Sequence, residues 1–489
     1  MKRSVLIGVL AMGLLHVYAQ DDFKSEYEKF RQQSVTKYDN FRLEANRQYA
    51  EFMRNAWEEY KKLPAIPKPK EKEVPPVVKP KKDEGKPIDS KPVKIDDEVV
   101  TVPKVEPQPA PVEPIREQPV AEPRKLSFSW LNTAMEVRFP KNQLFTLTGC
   151  TEESVANAWE QLASNKEIDN TIRDCLALRM KHQLCDWAYL QMLDECAKAC
   201  CAARNEATLL MAYLYQQSGY RMRLGIVDEQ LQMLYATKHT VYGKCYFKVD
   251  GTDYYPYVDD VERMRICAVG YPKEQSLSLW VHQQPILDSS RTQERKLTSE
   301  RYPDFSFVVT SNKQLIDFYN TYPTSMIDNN VMTRWAIYAN TPLEKGVATS
   351  LLPALKTKIK GMSEKEAIER MLNWVQTAFV YEFDDKVWGQ DRAFFAEESL
   401  YYPYCDCEDR SILFTRLVRD VLGLDCILVY YPGHLASAVA FTSDDVRGDY
   451  ILLNGRRFVV CDPTYIGAPV GQTMPDMDNQ KAKVILLNR

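Results

Sequence analysis

The chain has 489 residues, of which 45% are hydrophobic, and a formal net charge of −4. This length is enough for two or three domains with cores of their own. The charge excludes a strongly basic nucleic-acid binder as the default interpretation. After the N-terminal apolar run no other run approaches 18 residues, so no transmembrane segment is predicted.

The first residues have the organisation of a secretory signal peptide. Two basic residues precede an apolar run from Val5 to Leu15, and the stretch that ends at Ala19 suits a cleavage site. We therefore predict a signal peptide over residues 1–19 and an exported protein, periplasmic or extracellular after cleavage near Ala19. The 12 cysteines of such a chain favour one to four disulfides, with the other thiols buried.

Residues 20–63 contain a repeat of eleven residues in which tyrosine recurs in register. The aromatic members of the repeat are Tyr27, Phe30, Tyr38, Phe41, Tyr49, Phe52 and Tyr60. On one uninterrupted amphipathic helix this spacing forms an aromatic stripe that should not face water. We favour association with a second copy or a partner, as in a coiled coil. Docking on the chain's own globular part and an amphipathic helix at a membrane surface stay open.

Residues 64–125 form a different kind of segment. They contain 15 prolines, many charged residues of both signs and no aromatic residue. A segment of this composition cannot bury enough apolar surface to offset the entropy of ordering. We predict a disordered, extended linker, and we expect truncation of residues 20–124 to leave a folded monomer.

The globular remainder consists of two halves, 126–295 and 296–489, that repeat one pattern at an offset of 204 residues. Identical residues at this offset are Leu209 and Leu413, Gly219 and Gly423, and Leu224 and Leu428. Each half has a helical pattern, an apolar strand and then a hairpin signal. We interpret this pattern as an internal duplication. Two alternatives stay open for residues 126–295: a degenerate copy of the second half, or an unrelated helical-then-β domain.

Cys407, His434 and Asp462 have the order and the setting of a cysteine nucleophile, its base and an orienting acid. Cys407 follows the cap residue Asp406 at a predicted helix start, where the helix terminus and an imidazolium neighbour lower a thiol pKa. His434 opens a predicted strand, and Asp462 ends another before Pro463. An acid in this position holds the imidazole in the tautomer that catalysis needs.

Three segments around these residues read CEDRSILFTRLVRDVLGL, GHLASAVAF and FVVCDPTY. They resemble the transglutaminase-like superfamily of papain-type cysteine enzymes, here an exported bacterial member, over about residues 305–489. The resemblance implies an α+β fold in which the helix that bears the cysteine packs on an antiparallel sheet. It also implies thiol chemistry on amide bonds through a thioester intermediate.

Two details of this assignment stay open. The family usually has a glycine shortly before the cysteine, whereas here Cys405 precedes Cys407, so either thiol is a candidate nucleophile. We favour Cys407 because a Glu-Asp pair follows it. The oxyanion donor is the backbone N–H of Cys407, with the side chains of Trp388 and Gln390 as further candidates.

We therefore expect an exported cysteine peptidase or amidase whose substrate is a peptide, a protein or a cell-wall peptide. Hydrolysis is favoured over acyl transfer, because water is abundant and an acyl-transfer enzyme must exclude it. The alternative is an inactive copy of the fold that serves as a binding or scaffolding module. No cofactor and no metal ion are predicted, since no histidine lies at ligand spacing. In the first half Ala203 stands at the place of the nucleophile, so no chemistry is expected there.

Overall fold

The structure is a computed structural model. It describes residues 41–69, 72, 74–79, 92–93, 99–101, 107–111, 114–142, 144–258, 261–288, 290–478 and 481–488. The predicted signal peptide and the first repeats of the predicted amphipathic helix lie outside these residues. In the described part of the chain no helix has the length and apolar character that a membrane crossing requires.

The protein has a mixed α+β fold. Its helices are α1 (41–55), α2 (Glu152–Ser164), α3 (Ile168–Lys181), α4 (Asp186–Cys200), α5 (Arg204–Gln217), α6 (Lys313–Asn320), α7 (Thr333–Asn340), α8 (Lys345–Lys358), α9 (Glu364–Thr377), α10 (Asp384–Val387), α11 (Ala396–Tyr401) and α12 (Cys407–Leu422). The strands up to the middle of the chain are β1 (Trp57–Lys61), β2 (Pro92–Val93), β3 (Val99–Val100), β4 (Arg124–Trp130), β5 (Thr133–Phe139), β6 (Met222–Val227), β7 (Gln230–Ala236), β8 (His239–Val241), β9 (Phe247–Val249), β10 (Thr252–Pro256) and β11 (Arg263–Cys267). The remaining strands are β12 (Arg295–Thr298), β13 (Ser306–Val309), β14 (Ser325–Ile327), β15 (Val380–Tyr381), β16 (Tyr404–Cys405), β17 (Cys426–Tyr431), β18 (His434–Val439), β19 (Tyr450–Leu453), β20 (Arg456–Cys461) and β21 (Lys483–Leu486).

Two large sheets dominate the fold. The sheet of the first half has the order β1-β11-β6-β7-β10-β9, and all neighbouring strands in it are antiparallel. The sheet of the second half has the order β2-β19-β20-β18-β17-β21-β3. Its inner strands are antiparallel, and the short edge strands β2 and β3 add in parallel.

The inner parts of the two sheets have the same strand order. At the offset of 204 residues, Met222–Val227 (β6) falls on Cys426–Tyr431 (β17), and β7, β9 and β10 fall on β18, β19 and β20. The helix α5 falls on α12 in the same way. The order β11-β6-β7-β10-β9 therefore corresponds to β21-β17-β18-β20-β19, although β11 and β21 do not correspond at this offset.

The described part of the repeat segment differs from the prediction in two respects. The helix α1 ends at residue 55, and Trp57–Lys61 pair with β11 as an edge strand, so the helix predicted through residue 63 is wrong there. In addition, α1 packs on its own chain: the ring of Tyr49 lies 5.1 Å from that of Trp159. Phe41 and Phe52 are 39% and 50% exposed, because the buried face follows Tyr49 rather than the phenylalanines.

The described members of the predicted linker lie against the globular part instead of extending away from it. Ile115 is buried, and the strand β3 pairs with β21. We call residues 63–69, 72 and 74–79 the strap. Its Leu63 bridges to Tyr246 in the first half, and the N–H of Val74 donates to the carbonyl of Gly433 in the second half at 3.0 Å. Backbone hydrogen bonds thus order a segment that has little apolar surface of its own.

The two halves share one core, and none of their cysteines is joined by a disulfide. The largest cluster of buried apolar side chains joins Leu224 of the first half to Leu428 and Leu435 of the second, so the division at 295/296 does not separate two cores. All twelve cysteines lie in the described part of the chain, and none of them forms a disulfide. The one to four bridges expected from sequence are therefore absent from this structure.

Candidate active site

The helix α12 begins where the sequence predicted, with Cys407 at its first position. Asp406 is the N-cap: its side chain accepts from the N–H of Asp409 at 3.3 Å, and the Asp409 side chain accepts from the N–H of Asp406 at 3.3 Å. This reciprocal pair is a capping box, and it satisfies two N–H groups that have no intrahelical acceptor. Asp409 also accepts from the N–H of Phe394 at 2.8 Å, which fixes the helix start to the preceding chain.

His434 is placed by the hairpin between β17 and β18. Tyr431 pairs with His434, so Pro432 and Gly433 form a two-residue turn, and Gly433 has a φ of +78°. Proline followed by a residue with positive φ is the arrangement of a type II turn. His434 Nε2 lies 2.8 Å from Asp462 Oδ2. Because a carboxylate oxygen only accepts, Nε2 carries the hydrogen and the neutral ring has its lone pair on Nδ1.

A network of buried hydrogen bonds holds Asp462. Its other oxygen, Oδ1, accepts from the N–H groups of Thr464 and Tyr465 at 2.8 and 3.2 Å. Gln376 Nε2 donates to the carbonyls of Asp462 and Tyr465 at 3.0 and 2.9 Å. Arg410, from the second turn of α12, donates to the carbonyl of Gln376 at 3.0 Å. The acid is thereby connected to the helix that bears Cys407, which orients the imidazole relative to the thiol.

Cys407 and His434 line one cavity of about 330 Å³. The aromatic wall of this cavity is formed by Trp335 and Tyr430, whose rings stack with centroids 5.4 Å apart. Cys405 does not line this cavity: it is buried in the short strand β16. Of the two candidate thiols, Cys407 is therefore the one that faces the same space as His434.

Of the two predicted side-chain donors to the oxyanion, only one lines the cavity. Gln390 lines the cavity, whereas Trp388 packs against Phe394 and Tyr402 away from its lining. Sequence reasoning missed Trp335, which lies in α7 and lines the cavity. Its Nε1 is buried and has no hydrogen-bond partner in the described chain. No sequence signal pointed to Trp335, because α7 lies some 70 residues before Cys407 and reaches the site only through tertiary packing.

The electrostatic state of the thiol differs from the expectation. Burial raises the pKa of Cys407 well above its usual value, and the charges of Glu408 and Asp406 raise it further. The thiol donates to Glu408 Oε2 at 3.2 Å. His434 Nδ1 is buried and has no hydrogen-bond partner in the described chain, so no bond joins the thiol to the imidazole here. The helix terminus therefore does not produce a resting thiolate, because desolvation disfavours the charged form more strongly.

The other described histidines lie away from this thiol. His182 Nδ1 is 2.9 Å from the carbonyl of Ile286, and His239 Nδ1 is 3.0 Å from Ser325 Oγ. Burial lowers the pKa of His239 to about 4. His282 lines a separate cavity in the first half. Neither His182, His239 nor His282 shares the cavity of Cys407.

Comparisons with known proteins add no relative from which a role could be transferred. No protein-family model matches the chain, and a search of the curated proteins found no match. The functional interpretation therefore depends on the residues and their geometry: a thiol at a helix start, an imidazole held by a carboxylate, and a shared cavity.

Proposed function

We propose that this chain is a transglutaminase-like thiol enzyme that acts on amide bonds of peptides or proteins through Cys407, His434 and Asp462. One observation carries the proposal: Cys407 and His434 line the same cavity, and Asp462 binds Nε2 of His434, which leaves Nδ1 to accept the proton of the thiol. Nδ1 is then the nitrogen that accepts a proton, which is the arrangement a cysteine nucleophile requires.

The reaction would begin with transfer of the thiol proton from Cys407 Sγ to His434 Nδ1 as the sulfur attacks the substrate carbonyl. Asp462 stabilises the imidazolium that forms. The proton then passes from Nδ1 to the departing amine, the C–N bond breaks, and a thioester remains on Cys407. Water, deprotonated by the same nitrogen, attacks the thioester, the C–S bond breaks and the acid leaves. The proton then returns from Nδ1 to Cys407 Sγ.

The oxyanion of the tetrahedral intermediate needs donors that are in place before the reaction. The capping box uses the N–H groups of Asp406 and Asp409, and that of Cys407 is not part of it. The second donor we propose is Trp335 Nε1, because Trp335 lines the cavity and this buried N–H has no hydrogen-bond partner in the described chain. A preorganised donor of this kind stabilises charge only as that charge develops.

Hydrolysis is the outcome we favour over transfer to an amine.

The second candidate function is a binding module with an inactive copy of the fold. The raised pKa of Cys407 and its hydrogen bond to Glu408 support this alternative, because a neutral, already bonded thiol is a poor nucleophile. The two functions make different predictions: in the enzyme, His434 removes the proton of the Cys407 thiol when an acyl donor binds in the cavity, and in the binding module it does not.

The test uses p-nitrophenyl acetate as an acyl donor with the full-length protein. We expect a burst of p-nitrophenolate and one acetyl group on Cys407, identified by peptide mass spectrometry and removed by hydroxylamine. His434→Ala should abolish the burst, and Cys405→Ala, the matched control, should retain it. Acetylation that is absent at Cys407, or that is unchanged in His434→Ala, would favour the binding module.

A further inference from the structure

We propose that the cavity beside Cys407 has a subsite for a cationic side chain of an extended peptide, and that Lys68 of the strap occupies it. The inference extends the proposed function by naming the class of substrate. It is drawn from three features of the described residues: the course of the strap, the position of Lys68 and the charges around it.

The strap crosses the cavity from one half of the protein to the other. It leaves the first sheet near Leu63, and Pro67, Lys68 and Pro69 form part of the cavity lining, together with Cys407. Proline fixes its own φ and favours an extended conformation in the residue before it. Lys68, between two prolines, is therefore presented on an extended backbone, which is the form in which cysteine enzymes can receive a polypeptide.

Backbone contacts hold the strap against the turn that precedes His434. The N–H of Val74 donates to the carbonyl of Gly433 at 3.0 Å. A Cβ atom at Gly433 would lie 2.4 Å from the carbonyl oxygen of Lys72, so any other residue would push the strap away. The glycine thus serves the turn through its positive φ and also the close approach of a second backbone. These contacts do not depend on side chains, and a substrate backbone of another sequence can make them.

Lys68 extends into a cluster of carboxyl groups beside the thiol. Its Nζ donates to the carbonyl of Asp391 at 2.7 Å. The side chains of Asp384, Asp391 and Glu408 have oxygen atoms within 4.8 Å of one another. Burial and the charge of Glu408 raise the pKa of Asp391 to about 6, while the charges of Arg334 and Lys68 act in the opposite direction.

The guanidinium groups near this cluster already have partners. Arg334 Nη1 lies 2.6 Å from Asp391 Oδ2, and Arg392 Nη2 lies 2.5 Å from Glu398 Oε1. Glu408 forms no salt bridge within the described residues, and it adds a negative charge next to Cys407. Asp391 and Asp384 attract the ammonium of Lys68, although burial is the larger influence and lowers the pKa of this lysine. A lysine-type side chain of a substrate would be recognised by the same groups.

The strap then competes with the substrate for the cleft. Because it belongs to the same chain, its effective concentration at the site is high, and a free peptide must displace it. Loss of the Lys68 side chain should open the subsite without removing any group that acts on the thiol.

The experiment measures binding in a background that cannot react, the full-length Cys407→Ala protein. The probe is a fluorescein-labelled peptide with the sequence PAIPKPKEKEVPP, which corresponds to residues 64–76. By fluorescence anisotropy we expect it to bind at least about 10-fold more tightly when Lys68→Ala is added. Lys72→Ala, an exposed lysine of the same strap, is the matched control and should leave the affinity unchanged.

Two further measurements decide the chemistry of the subsite. A peptide with norleucine at the position of Lys68 should bind at least about 10-fold more weakly than the lysine peptide. Lys68→Met, which keeps the aliphatic stem, should open the cleft as Lys68→Ala does if the alanine variant folds poorly. Equal binding of the two peptides, or no gain in either Lys68 variant, would overturn the proposal. The binding experiments do not need turnover. If Cys407 were not acetylated, the proposed enzymatic activity would be rejected, but the result of the binding experiments would still stand.

Discussion

The inner strands of the two halves follow one order, and the helix before them lies at the same offset of 204 residues. The first half has other residues at the three positions that correspond to the proposed triad: Ala203, Gln230 and Val258. Gln230 opens β7 as His434 opens β18, and Val258 is 61% exposed whereas Asp462 is buried. Both halves therefore have the same arrangement of backbone, but only the second half has a thiol, an imidazole and a carboxylate at the three corresponding positions.

The hairpins that precede these positions differ as well. In the first half Asp228 and Glu229 both have positive φ, whereas in the second half Pro432 and Gly433 form the turn. Only the second arrangement has a glycine against which the backbone of the strap can lie. The half that bears the proposed triad therefore differs from its counterpart in access to the cleft as well as in the residue at the position of Cys407.

The largest effect should come from removing the proposed base. His434→Ala is expected to lower the rate of acetyl transfer to Cys407 by about 10²–10⁴-fold, the usual contribution of a positioned acid–base group. Gln230→Ala, at the corresponding position of the first half, should leave the rate unchanged. Stopped-flow release of p-nitrophenolate measures both. A loss of similar size in Gln230→Ala would show that the comparison between the halves is misplaced.

Equivalent substitutions in the cores of the two halves should lower the stability of the protein by similar amounts. Leu224 and Leu428 correspond at the offset and are fully buried in the shared core. Leu224→Ala and Leu428→Ala should each lower the free energy of unfolding by about 2–5 kcal/mol, through lost burial and the cavity left behind. Urea denaturation followed by tryptophan fluorescence gives the values. A transition that splits into two steps in one variant only would mean that the halves unfold separately.

A smaller effect is expected for the oxyanion donor, which lies outside the repeated part. Trp335→Phe keeps the aromatic wall and removes the N–H, so the rate of acetylation should fall about 10²-fold while binding of the probe peptide is retained. Trp388→Phe is the control, because Trp388 packs against Phe394 and Tyr402. Equal rates in the two variants would remove Trp335 from the mechanism.

The smallest effect concerns pH. Burial raises the pKa of Glu397 and of Glu398 to about 7, so both carboxyl groups are protonated in the folded state at pH 5 and ionised in the unfolded state. The folded state then binds more protons, and the free energy of unfolding should fall as pH rises from about 5 to 8. Glu397→Gln should reduce this fall by on the order of 1 kcal/mol. A fall of the same size in wild type and variant, measured by urea denaturation at each pH, would contradict the assignment.

Truncation of the N-terminal segment now has a different expected outcome from the one that the sequence suggested. Tyr49 packs on Trp159, and Trp57–Lys61 complete the edge of the first sheet. Removing them exposes the core of the first half, so the truncated chain should lose stability rather than remain an intact monomer. The repeat predicted a helix with an apolar face, but no local pattern specifies which surface covers that face.

The sequence by itself determined the local features of the site. The cap Asp406, the helix end at Gly423 and the hairpin turn at Asn454-Gly455 all follow from the preferences of residues close in sequence, and the structure has each of them. The sequence favoured Cys407 over Cys405, and the structure places Cys407 in the cavity of His434. Tertiary structure alone decided that Trp335 completes the wall and that the strap lies across the cleft. Short-range signals specify caps and turns because those involve residues within a few positions of each other. The pKa of the thiol and the contents of the cleft depend on burial and on charges brought together from distant parts of the chain.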